Sequence, residues 1–357
     1  MASPVRIDVI HGFAEDKPSI NNLRQGLNGM GDGYNINFHS TRTLDRGDGY
    51  VNKMRSMIGI HVRSLLAFQE IISSSDLIII HKFITPLDNA LIERLFLKHE
   101  NVIYTVYDAE YVYNPKKTKY LFENADLIHV ISHAIAAYAR EYSDDVTLIP
   151  PSVNTNFFTQ LSGKEIENIQ YSNIDDGFTI GWIGNASNHI NNLRYVIQIL
   201  EELDNDMDIT FRLLCGGEIG DELYEEISSS QFNTDIIEWV PWSDVPKVIN
   251  TFDVGLAPLK DTAFNRGRSS EKIREYMACG CPVIASNIGE NPYLVPESAG
   301  FLVNSESEWA DAIFTLMEEP EMCSNMGSNA RKHVEENYSI SVIADKLEDE
   351  ITTILLD

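Results

Sequence analysis

Short apolar runs alternate with helix-length amphipathic stretches, and the whole series occurs twice; no other feature constrains the fold of this chain as strongly. In the first half "VRIDVI", "YNINF", "DLIIIH", "NVIYTVY", "DLIHVIS" and "VTLIP" read as strands. In the second, "FTIGWIG", "ITFRLLC", "DIIEWV", "DVGLAPL", "CPVIAS" and "GFLV" repeat the series. Helix candidates 53–73, 86–99 and 133–142 separate the first set, and 190–203, 219–229, 243–251 and 269–279 the second. A helical tail runs from about 305 to the end. Strands apolar throughout, alternating with helices, belong to parallel sheets covered on both faces. The expected fold class is therefore α/β, with two doubly wound Rossmann-like domains facing across a cleft. The polar stretch "IPPSVNTNFFTQLSGKEIENIQYSNIDDG" divides them. Domains over 1–160 and 161–338 follow, with a closing helix, 339–357, packing back toward the first. A length of 357 residues also suggests two domains, at about 150 residues each.

Charge narrows the partners. The net charge is −27, and it is uneven: residues 1–160 carry 15 Lys and Arg against 18 Asp and Glu, residues 161–357 carry 12 against 36. So acidic a second half repels nucleic acid. No apolar run reaches the roughly 18 residues of a membrane-spanning helix. The opening "MASPVRIDVIHGF" goes straight into a strand pattern, so no signal peptide is expected and a cytoplasmic location follows. Cys215, Cys279, Cys281 and Cys323 form no C-x-x-C pair, which points to reduced, buried thiols rather than disulfides or a zinc site.

In doubly wound sheets ligands bind beyond the carboxyl ends of the strands, so those ends hold the candidate residues. The first strand runs into His11-Gly12, where a glycine either makes a simple tight turn or lets a ligand approach the backbone and the histidine reads as a packed loop residue or a base, with Ser19 placed to cap the helix that follows. "YDAEY" offers Asp108 and Glu110, either as partners for sugar hydroxyls or as exposed loop acids. In the second half "IGWIGNASNHINNLRYV" ends its strand in Gly184-Asn185, ahead of a helix start, without the G-x-G-x-x-G spacing of a dinucleotide fingerprint. The D-x-D within "DNDMD" (204–208) precedes its strand and reads as surface acid.

One segment stands out against the acidic background. "FNRGRSSEKIREYMACGCPVIAS" (264–286) places Arg266, Arg268, Lys272 and Arg274 within nine residues, around a helix that Ser269 or Ser270 can cap. Cations at a helix N-terminus oppose its dipole at roughly 0.3–1 kcal/mol each when exposed. Concentrating positive charge there makes sense if a multiply charged anion binds, and a diphosphate is the natural candidate. Arg274, a turn further on, reads as the partner of a nearby acid.

With these segments in view the chain resembles the retaining glycosyltransferases of family four, which have the GT-B fold. "EYMACGCPVIAS" is similar to the family's E-A-M-A-C-G-x-P-V-I-A-S, and "ADLIHVIS" with "VTLIPPSVNTNFF" to its A-D-x-V-I-x-x-S and V-I-P-N-G-V-D-x-x-x-F. "WVPWSDVPKVINTFDVGLAPL" is similar to its G-x-V-x-x-x-x-L-P-x-x-Y-x-x-A-D-V-x-x-x-P. The resemblance implies sugar transfer from a nucleoside-diphosphate sugar to a hydroxyl, with retention at the anomeric carbon and the donor held mainly by the second domain. It places Glu275 on the ribose hydroxyls, the backbone at Trp239 and Val240 at the base, and Gly12 in a loop beside the diphosphate. It implies no metal and no further cofactor, because cations and a helix dipole neutralise the leaving group.

Three positions depart from the family. Gly267 stands where the first glutamate of its E-x7-E pair would be; Asn185 and His189 lie where an Arg and Lys are usual; Tyr107 replaces a histidine before Asp108. A subgroup with F-N-R-G-K-S-x-x-K-x-x-E-Y is similar, with Arg268 at its first Lys. The expected donor set is therefore Gly12, Gly184, Asn185, Val240, Arg266, Ser269, Ser270 and Glu275, and the expected catalytic set is Arg268, Lys272 and Asp108. The acceptor is expected to be a glycan or lipid-linked hydroxyl. The basic, apolar stretch "RTLDRGDGYVNKMRSMIGIHVRSLLAF" and Lys116, Lys117 and Lys119 of "NPKKTKY" suit either contact with the inner face of a membrane or ordinary helix surfaces. Two rival readings are a sugar-nucleotide epimerase of the same fold and a catalytically inactive sugar-nucleotide-binding protein.

Overall fold

The computed structural model describes residues 3–13, 18–42, 50–85, 88–166, 169, 171, 177–201, 203, 208–216, 220–230 and 232–356. Among them, twelve strands form two six-stranded sheets, parallel throughout. All twelve are the apolar runs of the sequence. Most of the D-x-D stretch, at 204–207, lies outside the described residues.

The chain divides into two compact units. The first comprises Met1–Ser152, Arg266–Ser269 and Ile340–Asp357, and the second Val153–Asn265 and Ser270–Ser339. In the first unit the strands are β1 (Val5–His11), β2 (Tyr34–Ser40), β3 (Leu77–His81), β4 (Val102–Val106), β5 (Leu127–Val130) and β6 (Val146–Leu148). Their order in the sheet is β2-β1-β3-β4-β5-β6. The connecting helices are α1 (Pro18–Asn28), α2 (Tyr50–Ile71), α3 (Glu93–Phe96), α4 (Pro115–Phe122) and α5 (His133–Ala139). α1 begins at Pro18, so Ser19 lies inside the first turn and is not the cap; proline, with φ preset and no N–H to satisfy, suits the first helical position.

The second unit opens with α6 (Gly163–Ile166) and continues through β7 (Phe178–Asn185), α7 (Ile190–Glu201), β8 (Ile209–Gly216), α8 (Asp221–Ser228) and β9 (Asn233–Glu238). Then come α9 (Val245–Ile249), β10 (Val254–Ala257), α10 (Ala263–Arg266), α11 (Glu271–Ala278), β11 (Val283–Ser286), α12 (Asn291–Leu294) and β12 (Gly300–Val303). Two longer helices follow, α13 (Glu306–Glu318) and α14 (Pro320–Tyr338). Sheet order here is β12-β11-β10-β7-β8-β9. Period-two alternation feeds a separate apolar layer on each face: Ile183, Leu214 and Val283 join one cluster, and Trp182, Leu213 and Ile284 the other.

A last helix, α15 (Ile340–Leu356), belongs to the first unit. Ile343, Ala344, Leu347 and Ile351 are part of the first core. Two glycines of α1 and its exit make the approach possible: a Cβ at Gly26 would lie 2.7 Å from Leu347 Cδ1, and one at Gly29 2.8 Å from Ile340 Cγ2. Tyr34 donates to Glu348 at 3.2 Å. Beneath the helix, buried Glu350 sits 3.5 Å from His129 Nδ1, and burial pushes the carboxyl up to about 8 and the imidazole down to about 4, so both favour their neutral forms.

Candidate active site

Each strand order has a point where successive connections run to opposite sides, and in such sheets the ligand crevice opens there. For the second unit it lies between β7 and β10, and for the first between β1 and β3.

At the end of β7, Gly184 has φ +151°, a backbone shape that side chains rarely adopt. A Cβ there would stand 3.0 Å from Trp182 Cη2 and 3.3 Å from Lys272 Nζ. The Lys272 ammonium is therefore lodged at the strand end, 4.2 Å from the centre of the buried Trp182 ring. A cation over an indole face is held by the ring quadrupole, so the lysine head is placed rather than left to wander. Lys272 comes from the first turn of α11, whose amide ends carry the positive pole of the helix.

Ser270 occupies the capping position but does not cap. Its backbone is left-handed, φ 58°, and its hydroxyl donates to Asn291 Oδ1 at 2.5 Å. Asn291 Nδ2 in turn donates to the Ser286 carbonyl at 2.8 Å, and Ser286 Oγ accepts from Leu259 N at 2.9 Å. On the other flank Lys260 N donates to Asn192 Oδ1 at 3.1 Å. The chain after β10 is thus tied by side-chain hydrogen bonds to α7 on one flank and to the end of β11 on the other, which preorganises the rim. Asn185 is exposed on it, its Oδ1 accepting from Ser187 at 2.5 Å.

Glu275, a turn beyond Lys272, is partly buried, and burial followed by the nearby Glu271 pushes its carboxyl up to about 7 against the pull of Arg274 and Lys272. Across β8, Trp239 is half exposed and lies over Gly216, where a Cβ would meet its ring at 3.1 Å. It is a surface-forming aromatic beside buried Val240, not a core residue. An ammonium, helix amides, a carboxyl and an aromatic shelf along one sheet edge suit a nucleotide with a charged phosphate group.

Residues 177–319 match the family model described as glycosyl transferases group 1. No curated protein matches the chain. Among solved structures, sucrose-phosphate synthase from Thermosynechococcus elongatus is similar at TM-score 0.77 and 16% identity, covering 99% of each chain. A glycosyltransferase from Rickettsia africae has TM-score 0.77 and 15% identity, with 99% of each chain covered. Anabaena HepE in complex with UDP-glucose has TM-score 0.72 and 16% identity, covering 98% of this chain and 99% of its own. These likenesses show the fold, two parallel six-stranded sheets of the GT-B class.

The structure divides the basic segment that precedes and enters α11. Lys272 and Arg274 belong to the second unit, whereas Arg266, Gly267, Arg268 and Ser269 pack with the first. Ser132 Oγ donates to the Gly267 carbonyl at 3.3 Å, and a Cβ at Gly267 would lie 2.8 Å from Ala109 Cβ. No glutamate fits there, which gives the departure from the E-x7-E pair a steric cause. Arg266 and Arg268 lie within electrostatic reach of Tyr111 and Tyr113. Arg274 is not the partner of a nearby acid through hydrogen bonds. It is buried, Nη1 and Nη2 make none, and desolvation lowers its pKa despite Glu271 nearby.

The first unit's switch point is filled by its own chain. Gly12 faces the loop after β3 so closely that a Cβ would fall 2.5 Å from the Ile84 carbonyl oxygen and 2.9 Å from that of Phe83. His11 and His81 are fully buried. Lys82 is left-handed at φ 57°, pairs directly with the Asp108 carboxylate and stands 4.9 Å from the Phe13 ring centre. Glu110 is not an exposed loop acid: it is buried, accepts from Tyr104 Oη at 2.7 Å, and burial pushes it up to about 7 although Lys82 opposes this. Sequence reasoning missed Lys82 and Trp182. Lys82 has no motif around it, and Trp182 looks like one more apolar strand residue.

Proposed function

We propose that the protein is a retaining, hexosyl-type glycosyltransferase that takes its sugar from a nucleoside-diphosphate sugar and delivers it to a glycan or lipid-linked hydroxyl. The observation that carries this reading is Lys272, seated on Trp182 at the mouth of β7 in a domain that matches group 1 glycosyltransferases. Breaking the sugar–phosphate bond loads negative charge on the leaving diphosphate. A preorganised cation and the start of α11 stabilise that charge where it develops. Gly184, Asn185 and Ser270 line its path, Glu275 takes the ribose hydroxyls, and the Trp239–Val240 backbone takes the base. The departing phosphate accepts the acceptor's proton, so neither a metal nor a protein base is needed; Asp108, already paired with Lys82, is the candidate if one is used. The sequence reading further assigns Arg266, Arg268 and Ser269 to the diphosphate and Gly12 to the loop beside it, and R268A tests that assignment separately. HepE is solved with UDP-glucose, which makes a uridine donor the first to try.

The test is calorimetric titration of UDP and UDP-glucose, followed by product analysis with the wild type and K272A. Binding with release of UDP and an α-linked product from an α-linked donor supports the reading. Absence of any nucleotide-sugar binding overturns it. Binding without turnover selects the inactive-binder alternative, which the sterically closed Gly267 position favours; an epimerised donor in the absence of acceptor selects the epimerase.

A further inference from the structure

Arg274 is a buried charge without a hydrogen bond from either Nη. The side chain, 1% exposed, lies in the middle of α11. Its guanidinium stands 5.8 Å from the centre of the Tyr338 ring at the end of α14, the outer limit of a cation–π contact. Taking a guanidinium out of water without hydrogen bonds is costly, and a methionine of similar length would fill the space without that cost. Packing alone therefore does not explain an arginine here.

Its charge acts instead on the carboxylates around it. Glu275 follows it directly, Glu271 precedes it by three residues, and Glu290, at the start of α12, lies within electrostatic reach. Glu271 and Glu275 are four apart, so two like charges share one edge of the helix. Burial and that neighbour favour a protonated Glu275, while Arg274 and Lys272 oppose them. The other titratable neighbours are neutral or engaged. Burial keeps the protons on Tyr276, Cys279 and Tyr338, and keeps one off His333, 5.7 Å from the Tyr338 ring. Arg331 of α14 donates to the Phe158 and Thr155 carbonyls at 3.1 and 3.2 Å and pairs with Glu335 at 2.6 Å. Strands β10 and β11, on which α11 packs, are Val-Gly-Leu-Ala and Val-Ile-Ala-Ser and bring no charge. A buried charge is little screened, so Arg274 acts on Glu275 with most of its field intact. A direct salt bridge would occupy the carboxylate oxygens; a guanidinium acting without a hydrogen bond leaves them to other donors.

We propose that Arg274 is a positioning residue for the nucleotide: its buried guanidinium keeps Glu275 ionised, with both carboxylate oxygens open to the ribose hydroxyls. This rests on the donor-site reading of Glu275. The experiment is calorimetric titration of the full chain with UDP from about pH 6 to about pH 9. Each affinity is taken relative to E275A at the same pH, so that the ionisation of UDP itself cancels. In the wild type the advantage over E275A should fade as pH drops through about 7. R274M should move that midpoint up by at least about one unit, the scale for losing a nearby opposite charge. R274K should hold it in place, and adding E271Q to R274M should bring it back down, which no packing defect would do. A thermal melt accompanies each variant, and R274Q takes the place of R274M if the methionine variant does not fold. The proposal is overturned if R274M keeps the wild-type midpoint, or if it loses the same factor at every pH, which marks a packing role. Equal UDP binding by E275A and the wild type, or none by either, overturns the Glu275 reading first and this one with it.

Discussion

The two sheets solve the same topological problem in opposite ways. Where strand order reverses in the first unit, the chain closes its own crevice: Gly12 abuts the Phe83 and Ile84 carbonyls, two histidines are buried, and the charges of Lys82 and Asp108 satisfy each other. Where it reverses in the second, a left-open strand end displays a cation braced on an indole, with Asn185 and a helix start beside it. Paired charges have little left to offer a ligand. Lys272, seated on a ring at a strand end where no Cβ intrudes, is the cation the proposed donor would meet.

This contrast breaks most easily at Lys272. K272A should cut turnover by about 10²–10³, the scale for losing one preorganised donor to developing charge, with its melting temperature unchanged; steady-state kinetics and a thermal scan decide. Were K82A to cost as much turnover with folding intact, the two switch points would not differ as described. Next in size, E275A should weaken nucleotide binding by about 1.5–3 kcal/mol, measured by calorimetry, and unchanged affinity in a folded variant would remove Glu275 from the site. G12A should act on the other side of the comparison. Its Cβ meets backbone carbonyls that cannot swing aside, so stability should fall by about 1–3 kcal/mol in denaturant titrations.

An effect of another kind, spread along the pH axis, should come from Glu350. Its folded pKa, about 8, is raised above the ordinary 4.5 by burial, so the folded state keeps a proton that the unfolded state sheds. The carboxyl's contribution to stability is then fully present below about 4.5 and is lost as pH rises toward about 8. E350Q, which mimics the protonated carboxyl, should flatten that decline. Equal slopes for E350Q and wild type in pH-dependent denaturant melts would mean the carboxyl is ionised in place.

Strand positions were readable because a strand buried on both faces is written as an unbroken apolar run, as in "DLIIIH" and "CPVIAS". Strand order was not, because pairing joins residues far apart: β1 sits between β2 and β3, and β7 between β8 and β10. Within the candidate site, Lys272 stood out from a helix start crowded with cations in an acidic domain, whereas Glu275 was singled out by the family resemblance alone. The assignment of Arg266–Ser269 to the first unit was not, since four residues carry no periodicity. Burial of Glu110, Lys117 and Arg274 was equally hidden; a charged letter normally reports surface, and only the fold shows where it does not.

The placement of α15 bears on how the molecule comes into being. Its apolar side completes the core that α1 begins, yet some three hundred residues are synthesised between them. At about 5–20 residues per second, the first unit waits tens of seconds with α1's inner face uncovered. The second unit needs no such delay, for nearly all of its chain is continuous. Order of emergence and order of completion are thereby reversed: the half of the protein that leaves the ribosome first is the half that finishes last.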